Sequence, residues 1–456
     1  MTPTRAGSSR NRQNVSRQGN ASRQGSSTRS RSTRQGNKRP SMQQTIARKP
    51  SRDRRTKMGR MDISFFFLIV VLVTIGLVMV FSASYATSLN ENDSGLYLVM
   101  KQTAFVAMGL IAMYVLSYIP YQLYLRMYKL IYFACLALTA LALAFPAQKG
   151  DARRWIPIPG IGTFQPSELM KFALIVTFAA LISKNYRQMG TFKKGILEFF
   201  VYLVPVLGVI ALQRHLSCIL LMIIICGGMM FIAGSKVYYL LGLIPIGLLA
   251  LVILQLLGFN YVGARIDTWM DPFSDIQGGS WQIVQSLYAI GSGGLFGVGL
   301  GNSTQKFLWV SEPQNDFIFA IVCEELGLIG ALTIILLFIL FVASGFSIAM
   351  RAPDKFSSLV VIGITLQFGA QALLNIAVVT NAMPTTGISL PFFSAGGSAT
   401  LMQLAQMGIV LNISRHCRPT IARGKDIDPD KAGKPPKSDG PQQASPTIRI
   451  ISSHDI

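Results

Sequence analysis

Charged residues and histidines are scarce in this 456-residue chain. Asp, Glu, Lys and Arg make up 14% of it and hydrophobic residues 51%, whereas about a quarter of the residues in soluble domains are charged. This balance excludes a compact water-soluble enzyme. The three histidines are scattered at positions 215, 416 and 454, which argues against a histidine metal site or a Ser-His-Asp triad. The five cysteines imply no disulfide framework, because four of them lie in apolar runs.

The first 60 residues contain almost no aliphatic or aromatic side chains. They hold 17 of the 42 lysines and arginines and a single acid, Asp53, and so carry +16 of the net charge of +22. Such a segment cannot bury enough apolar surface to offset the entropy lost on ordering, and its first apolar run comes too late for a signal peptide. We therefore predict disordered tails over residues 1–60 and 417–456, with a polytopic membrane domain over residues 61–416.

Long apolar runs recur through this central region. The first, residues 63–83, is uncharged and long enough to cross a hydrocarbon core of about 30 Å at ~1.5 Å per residue. We predict an all-α integral membrane protein with about ten transmembrane helices and a long extracellular loop between helices 7 and 8. An even number of crossings puts both termini on one side, and the basic tails place that side in the cytoplasm. The predicted helices lie near residues 63–83, 103–119, 129–146, 168–183, 195–212, 216–233, 237–258, 317–346, 357–380 and 397–413.

Basic side chains occur on the predicted outer side, where short loops normally avoid them. Lys171 lies about one turn inside helix 4 from the same face. The presence of these basic side chains at the outer face suggests that an anionic ligand is bound. By contrast, residues 356–414 contain no charged side chain, and we interpret them as a structural or lipid-facing wall with a polar cap. The outer basic residues are Lys149, Arg153, Arg154, Arg214, Arg265 and Lys306.

The first candidate stretch has the sequence Gly-Asp-Ala-Arg-Arg-Trp-Ile at residues 150–156 and continues through Gln165 and Glu168 to Lys171. In one interpretation, its two arginines and Lys171 converge on a phosphate or pyrophosphate, for which the planar guanidinium is well suited. In the other, an arginine pairs with a nearby acid, and Trp155 anchors the chain at the membrane interface. The local sequence is compatible with both.

The second candidate is the segment between helices 7 and 8, at about residues 259–316. It is too long and too polar for a tight turn, and loops of this length are usually functional. It contains Arg265 and a glycine-rich stretch at residues 291–301. That stretch lacks the Gly-Lys-Ser/Thr ending and the preceding strand of a phosphate-binding loop. We predict instead that residues 281–300 form re-entrant or interfacial structure shielded by the helices.

Three carboxylates mark the start of helix 8. Asp316 lies where a polar loop gives way to an apolar helix, so its carboxylate could be partly desolvated and act as a base, or it could simply cap the helix. Glu324 and Glu325 lie ~12 Å further along at ~1.5 Å per residue. Carboxylates at that depth need partners. They are either members of structural ion pairs or proton carriers.

The fourth candidate is an uncharged loop at residues 383–398, rich in Pro, Gly, Ser and Thr. Such a run can offer backbone N–H groups to an anion or a sugar. A rigid loop that satisfies its own backbone is the alternative. Its candidate binding residues are Ser394, Gly396, Gly397 and Ser398.

These stretches, in this order, resemble the SEDS family of bacterial cell-wall polymerases (shape, elongation, division and sporulation) over residues 62–416. The matching motifs are Gly-Asp-Ala-Arg-Arg-Trp-Ile with Gln-Pro-Ser-Glu, Asp-Phe-Ile-Phe-Ala with Glu-Glu-Leu-Gly, and Pro-Thr-Thr-Gly with Gly-Gly-Ser. The Pro-Thr-Thr-Gly form and the Leu-Asn-Ile-Ser-Arg ending at residues 411–415 resemble the division branch, FtsW, more than the elongation branch, RodA. Two motifs depart from the family pattern. Gln314 stands where many members have a histidine, and Gln213-Arg214-His215 replaces Gln-Pro-Asp.

The resemblance implies a peptidoglycan glycosyltransferase that polymerises lipid II on the outer face of the cytoplasmic membrane during cell division. Asp316 would then be the general base for the GlcNAc 4-hydroxyl of the acceptor, which attacks C1 of the donor MurNAc with inversion. Cations would stabilise the departing undecaprenyl pyrophosphate. The residues assigned to substrate binding are Arg153, Arg154, Lys171, Arg265, Lys306, Glu312, Gln314, Ser394, Gly396, Gly397 and Ser398. The residues assigned structural polar roles are Trp155, Gln165, Glu168, Glu324 and Glu325.

By the same resemblance, the partners are a class B penicillin-binding protein (FtsI-like) that crosslinks the new glycan, other division proteins and the membrane at the septum, with no nucleic acid. The sequence predicts no metal ligands and leaves the involvement of a divalent cation open. A lipid II flippase, a RodA-like polymerase and a non-enzymatic scaffold are the competing hypotheses. Charges at the outer face rather than at the mid-plane favour the polymerase over the flippase.

Overall fold

The computed structural model describes residues 59–92, 94–146, 153–159, 162–242, 261–276, 278, 280–307 and 314–417. Helices dominate this part of the chain, and one short antiparallel hairpin interrupts them, with Ile156 opposite Phe164. The predicted tails lie almost entirely outside the described residues. The elements are α1 (Ile63–Asn92), α2 (Tyr97–Leu116), α3 (Gln122–Leu141), β1 (Ile156–Ile158), β2 (Gly162–Phe164), α4 (Pro166–Asn185), α5 (Glu198–Leu212), α6 (Leu216–Ile232), α7 (Val237–Leu241), α8 (Tyr261–Met270), α9 (Trp281–Gly293), α10 (Ile318–Arg351), α11 (Lys355–Val379) and α12 (Gly397–His416).

Seven of the described helices, α1 to α5, α10 and α11, are long and apolar enough to cross a membrane. Helix α6 is apolar but has only 17 residues, and α12 has 20 residues of lower hydrophobicity. The prediction of a mainly α-helical membrane protein is therefore confirmed. The count of ten crossings stays a prediction, because most of the seventh predicted helix, residues 237–258, lies outside the described residues.

Helices α4 and α11 form the centre of the bundle, and most of their residues are buried. The sequence permits a lipid-facing position for the uncharged region that contains α11. The structure instead places α11 inside the bundle, with the amide side chains of Gln367, Gln371 and Asn375 buried. Amides facing hydrocarbon would lack hydrogen-bond partners, so the interior position has a clear physical cause.

Glycines allow α2 and α12 to pack closely. A Cβ at Gly408 would lie 2.4 Å from the carbonyl oxygen of Met113, and one at Gly109 would lie 2.6 Å from Leu404 Cδ1. Helices in lipid associate through close contact of small residues, because lipid tails are as apolar as the helices themselves. This contact holds α2 in place, and the first turns of α2 border the cavity described below.

The connections predicted to be cytoplasmic meet at one end of the bundle. Arg351 Nη2 donates to Asp62 Oδ2 at 2.9 Å, and Tyr121 Oη donates to Asp354 Oδ2 at 2.5 Å. The hairpin, the α5–α6 turn and the uncharged loop of residues 383–398 gather at cavities elsewhere in the bundle. The grouping agrees with the alternation of crossings that the apolar runs predict.

Gly327 divides α10 into two parts. Its φ of 66° and ψ of −169° lie in a region that essentially only glycine occupies. Residues 294–299 bond to the backbone on both sides of this break. The Val298 N–H donates to the Glu324 carbonyl at 2.9 Å, and the Leu328 N–H donates to the Gly294 carbonyl at 2.9 Å. The segment after α9 is thereby folded against α10, and residues 303–306 are brought to Glu324 and Glu325.

Candidate active-site cavity

Two adjoining cavities lie at the end of the bundle that carries the hairpin. The larger has a volume of about 460 Å³ and is bounded by α2, the hairpin, α4, α6, α11 and the uncharged loop. The smaller has a volume of about 140 Å³ and is bounded by the α5–α6 turn, α8, α9 and residues 385–387. Four residues border both cavities: Arg154, His215, Asp316 and Gly387. The two spaces therefore meet at a carboxylate, a guanidinium and an imidazole.

Asp316 is held at this junction by its own backbone. Its carbonyl accepts a 2.7 Å hydrogen bond from Asn375 Nδ2, which also donates to the Ile388 carbonyl at 2.7 Å. The N-cap of α10 is Phe317, and no side chain caps the helix there. Asp316 therefore stands one residue before the N-cap position, and capping by its carboxylate stays one of its two interpretations. The carboxylate is half-buried and borders both cavities.

Gly387 lets the uncharged loop approach the Asp316 carboxylate. Its φ is 66°, and a Cβ at this position would lie 3.3 Å from Asp316 Oδ2. A positive φ costs a non-glycine residue roughly 1–2 kcal/mol. Any side chain here would also narrow the junction between the two cavities. The glycine thus keeps the space beside the Asp316 carboxylate open.

Three of the sequence-predicted cations, Arg154, Lys171 and Arg265, lie in the walls of the two cavities. Arg154 borders both cavities and makes no hydrogen bond or ion pair to any other residue that the structure describes. Lys171 is buried in the wall of the larger cavity, where its Nζ lies 2.8 Å from Glu168 Oε2. Glu168 thus forms an ion pair with the lysine of its own helix rather than with an arginine. Asp151, the other acid that could pair with an arginine, lies outside the described residues. Arg153 is exposed and borders neither cavity.

Arg265 borders the smaller cavity and donates to the Thr385 carbonyl. Burial and, to a smaller extent, the charge of Arg154 lower the pKa of Arg265 to about 10, although the Asp316 carboxylate acts in the opposite direction. The guanidinium charge is thus poorly solvated in its own surroundings. An anion placed between Arg154 and Arg265 would stabilise both charges.

Lys306 lies apart from both cavities. Its ammonium is 3.0 Å from Glu325 Oε1, and both side chains are almost completely buried. It also donates to the Gly301 carbonyl at 2.6 Å and to Ser82 Oγ at 3.2 Å. Of the two interpretations of Glu325, the structural ion pair is the one that the geometry supports. The structure does not group Lys306 with the cavity cations.

Glu324 has a separate set of partners. Ser303 Oγ donates to its Oε2 at 2.5 Å, and the Thr304 backbone N–H donates to its Oε1 at 2.9 Å. With the Thr304 hydroxyl at 3.1 Å and the Gln305 N–H at 3.4 Å, the carboxylate accepts from two hydroxyls and two backbone amides in the segment folded against α10. Such bonds replace the water that a carboxylate loses on burial.

The uncharged loop contributes several residues to the larger cavity and satisfies part of its own backbone. Ser394 Oγ donates to the Asn315 carbonyl at 2.7 Å, and the Ala395 N–H donates to the Gln314 carbonyl at 2.8 Å. Ser398 Oγ is buried without a hydrogen-bond partner among the described residues, so it is free to bind a ligand. Besides Arg154, Lys171 and Asp316, the predicted residues that border this cavity are Trp155, Gln165, Glu168, Ser394, Gly396, Gly397 and Ser398. Gln314 is buried beside the loop but borders neither cavity, and Glu312 lies outside the described residues.

The larger cavity is also bordered by polar residues that sequence reasoning did not assign to the site, and three of them lie in α2 and α11. Lys101 and Gln102 lie in the second turn of α2, and Gln371 lies in α11. Polar side chains inside apolar runs were the available signal. Gln102 also contacts the loop and α12, since its Nε2 donates to the Ser394 carbonyl at 3.3 Å and to Thr400 Oγ1 at 2.9 Å.

Metal ligands do not cluster in the part of the chain that the structure describes. No group of three or more His, Cys, Asp or Glu residues there is placed to hold a metal ion. The polar character of the site comes instead from a carboxylate, basic side chains and amides.

A family model described as "Cell cycle protein", for FtsW, RodA and SpoVE, matches residues 63–419. The chain belongs to the SEDS family. As a SEDS protein with this set of apolar helices, it is a multi-pass membrane protein.

Curated SEDS relatives cover most of the chain. Stage V sporulation protein E of Bacillus subtilis (strain 168) is 38% identical over 367 residues, which are 80% of this chain and 99% of the relative. A probable peptidoglycan glycosyltransferase FtsW of Trichlorobacter lovleyi is 36% identical over 386 residues, which are 84% of this chain and 99% of the relative. The two identities are close, so overall identity does not separate the division branch from the sporulation branch.

Solved SEDS structures share the fold. A chain from a structure described as "Structural coordination of polymerization and crosslinking by a peptidoglycan synthase complex" superposes with a TM-score of 0.65 at 26% identity, covering 78% of this chain and 98% of that one. The rod shape determining protein RodA of Thermus thermophilus superposes with a TM-score of 0.57 at 26% identity, covering 78% and 97%.

Proposed function

We propose that this SEDS protein is a peptidoglycan glycosyltransferase that polymerises lipid II during cell division. The observation that carries the proposal is the meeting of Asp316 with Arg154 and Arg265 where two cavities join. A carboxylate beside a group of cations suits a reaction in which a hydroxyl loses a proton and an anionic group departs. Relatives named FtsW and described as probable peptidoglycan glycosyltransferases support the same activity.

In the proposed reaction, Asp316 accepts the proton of the GlcNAc 4-hydroxyl as that oxygen attacks C1 of the donor MurNAc. The bond from C1 to the pyrophosphate oxygen breaks with inversion at C1, and the bonding electrons leave with undecaprenyl pyrophosphate. Arg154 and Arg265 stabilise the charge that develops on this leaving group, and Lys171 adds positive charge from the wall of the larger cavity. Positioned cations of this kind act most strongly where water is excluded.

The substitution Asp316→Asn tests the assignment of the base. The amide keeps the shape of the side chain but cannot accept the proton, so we expect glycan synthesis to slow by about 10²–10⁴-fold, the usual contribution of a general base. The assay is the formation of glycan ladders from fluorescent lipid II by the purified full-length protein. Asp267→Asn is the matched control, because Asp267 is an exposed carboxylate of α8 that borders neither cavity. Wild-type polymerisation by an Asp316→Asn protein that still binds lipid II would refute the assignment.

A lipid II flippase is the competing function. Charged groups that cluster at one end of the bundle suit chemistry on a membrane surface, whereas a transport path needs polar groups near the mid-plane. Reconstitution into liposomes separates the two functions. A polymerase converts lipid II supplied on its own face into glycan, whereas a flippase moves lipid II across the bilayer and leaves it unpolymerised.

The cellular setting belongs to the same proposal. We place both termini in the cytoplasm and the cavities on the outer face, with the protein at the septum beside a class B penicillin-binding protein. The structural similarity to a chain of a peptidoglycan synthase complex supports a crosslinking partner. Septal localisation of a fluorescent fusion, with co-purification of that partner from vegetative cells, is the expected result. Localisation only in sporulating cells would assign the protein to the sporulation branch.

A further inference from the structure

His215 lies at the junction of the two cavities and has no role in the reaction proposed above. It forms part of the tight turn between α5 and α6, and its side chain is buried. Its Nδ1 has no hydrogen-bond partner among the described residues. A buried ring nitrogen without a partner is costly, and this one borders both cavities. The position suits a group that binds a ligand.

The backbone of the turn determines where the imidazole lies. Arg214 adopts a φ of 55°, and the N–H groups of Arg214 and His215 donate to the carbonyls of Ala211 and Ile210 at 2.9 and 3.2 Å. These two bonds close the C-terminus of α5 in a Schellman arrangement. Proline cannot adopt a positive φ, so the turn differs here from a Gln-Pro-Asp turn. Ser217 Oγ donates to the Thr386 carbonyl and ties the turn to the uncharged loop.

The charges that face His215 come from every neighbouring element. In the empty cavities the pKa of His215 is well below its usual value, because burial disfavours the charged imidazole and because Arg154, Lys171 and Arg265 repel it. The ring is therefore neutral near pH 7. The titratable groups around it are Lys101 of α2, Arg154 before the hairpin, Glu168 and Lys171 of α4, Arg214 of its own turn, Cys218 of α6, Arg265 of α8 and Asp316 before α10.

We infer that His215 is a proton-accepting part of the anion site, neutral in the empty cavities and protonated when the two phosphates of a diphosphate group occupy them. The proton comes from solvent, and at most one is taken up per bound anion. The bound phosphates offset the repulsion from the three cations, and the protonated ring donates from Nδ1 to a phosphate oxygen. The inference rests on the proposed function, because the anion is the pyrophosphate of the lipid substrate or product.

The sign of the pH dependence follows from linkage. Because the bound anion raises the pKa of His215 above its value in the empty site, binding is favoured by low pH. The extra affinity is lost as the pH rises through the pKa that His215 has in the anion-bound protein. It stops increasing once the pH falls below the pKa that His215 has without the anion. Between those two values, affinity increases up to tenfold for each unit decrease in pH.

Calorimetric titration of the purified full-length protein tests the inference. Inorganic pyrophosphate and farnesyl pyrophosphate are the probes, each measured at several pH values in buffers with different ionisation enthalpies. The variant His215→Gln is neutral at all of these pH values, and subtraction of its result removes the protons that the probes themselves bind. His416→Gln is the matched control, because His416 lies at the end of α12 and borders neither cavity.

We expect the wild type and His416→Gln to take up more protons per bound anion than His215→Gln, with an affinity difference that grows as the pH falls. Extra uptake with both probes identifies the diphosphate group as the ligand, and extra uptake with farnesyl pyrophosphate alone identifies the lipid headgroup. Equal uptake by the wild type and His215→Gln would overturn the inference, as would failure of the wild type to bind either probe. His215→Asn, which is also neutral at all of these pH values, provides the same comparison if His215→Gln unfolds. Glycan ladders from lipid II report the proposed function separately.

Discussion

The buried pair of Lys306 and Glu325 provides a sharp test of which basic residues are structural. Lys306 Nζ lies 3.0 Å from Glu325 Oε1, and the side chains are 3% and 0% exposed. Ser82 of α1 donates to both oxygens of Glu325, at 2.6 and 2.8 Å. The pair thus joins α1, the segment after α9 and α10 at one point.

Replacing Lys306 with Met leaves a buried carboxylate without its cation. Among the described residues, the hydroxyl of Ser82 and a 3.4 Å bond from the Ser303 N–H are then the remaining partners of Glu325. Removal of one partner of a buried ion pair costs about 3–5 kcal/mol, whereas replacement of both by apolar residues of similar volume is often neutral. We therefore expect Lys306→Met to lose about 3–5 kcal/mol of stability and the double variant with Glu325→Leu to recover most of it.

The assay is the apparent free energy of unfolding from SDS titration in detergent micelles. Lys194→Met is the matched control, since the pair of Lys194 and Glu198 is 42% and 26% exposed, and such pairs contribute about 0.3–0.5 kcal/mol. Pyrophosphate binding should survive in the folded double variant. Loss of that binding would show that Lys306 takes part in anion binding. Equal instability of the single and double variants would refute the ion-pair reasoning.

Three further predictions concern the glycine break, the cavity arginine and the basic tail. Gly327→Ala should destabilise the protein by at least about 1–3 kcal/mol in the same SDS titration, because alanine is strained at this φ and ψ and its Cβ would meet a backbone nitrogen at 2.3 Å. Gly227→Ala, with nothing within 4 Å of its Cβ, should change stability by no more than about 1 kcal/mol. Arg154→Gln should slow ladder formation by about 10²–10³-fold, and Arg153→Gln should not. Equal effects would contradict the assignment of Arg154, and not Arg153, to the cavity wall. Deletion of residues 1–58 should leave the ladder rate in detergent unchanged, and a slower rate would give the tail a catalytic role.

Several features of the site followed from short-range patterns. Asp316 was recognised because a polar loop meets an apolar helix there, and Arg154 because a basic residue stands where the topology disfavours it. Both border the cavity junction in the structure. Lys306 satisfies the same sequence criterion and lies elsewhere, because its position depends on Ser82 and Glu325, which are distant along the chain.

The sequence by itself determined the membrane class, the positions of most helices and the family resemblance. This was possible because a helix in lipid makes its backbone hydrogen bonds within itself and must present apolar side chains. Each membrane-spanning helix can therefore be predicted from its own residues. Only the tertiary structure decided which charges meet. Lys171 pairs with Glu168, Lys306 pairs with Glu325, and the neutral ring of His215 lies among the cations of the cavity. The pair of Lys171 and Glu168 lies within one helix, but its burial depends on the packed bundle. The positions of Lys306 and His215 depend on contacts between segments that are distant along the chain.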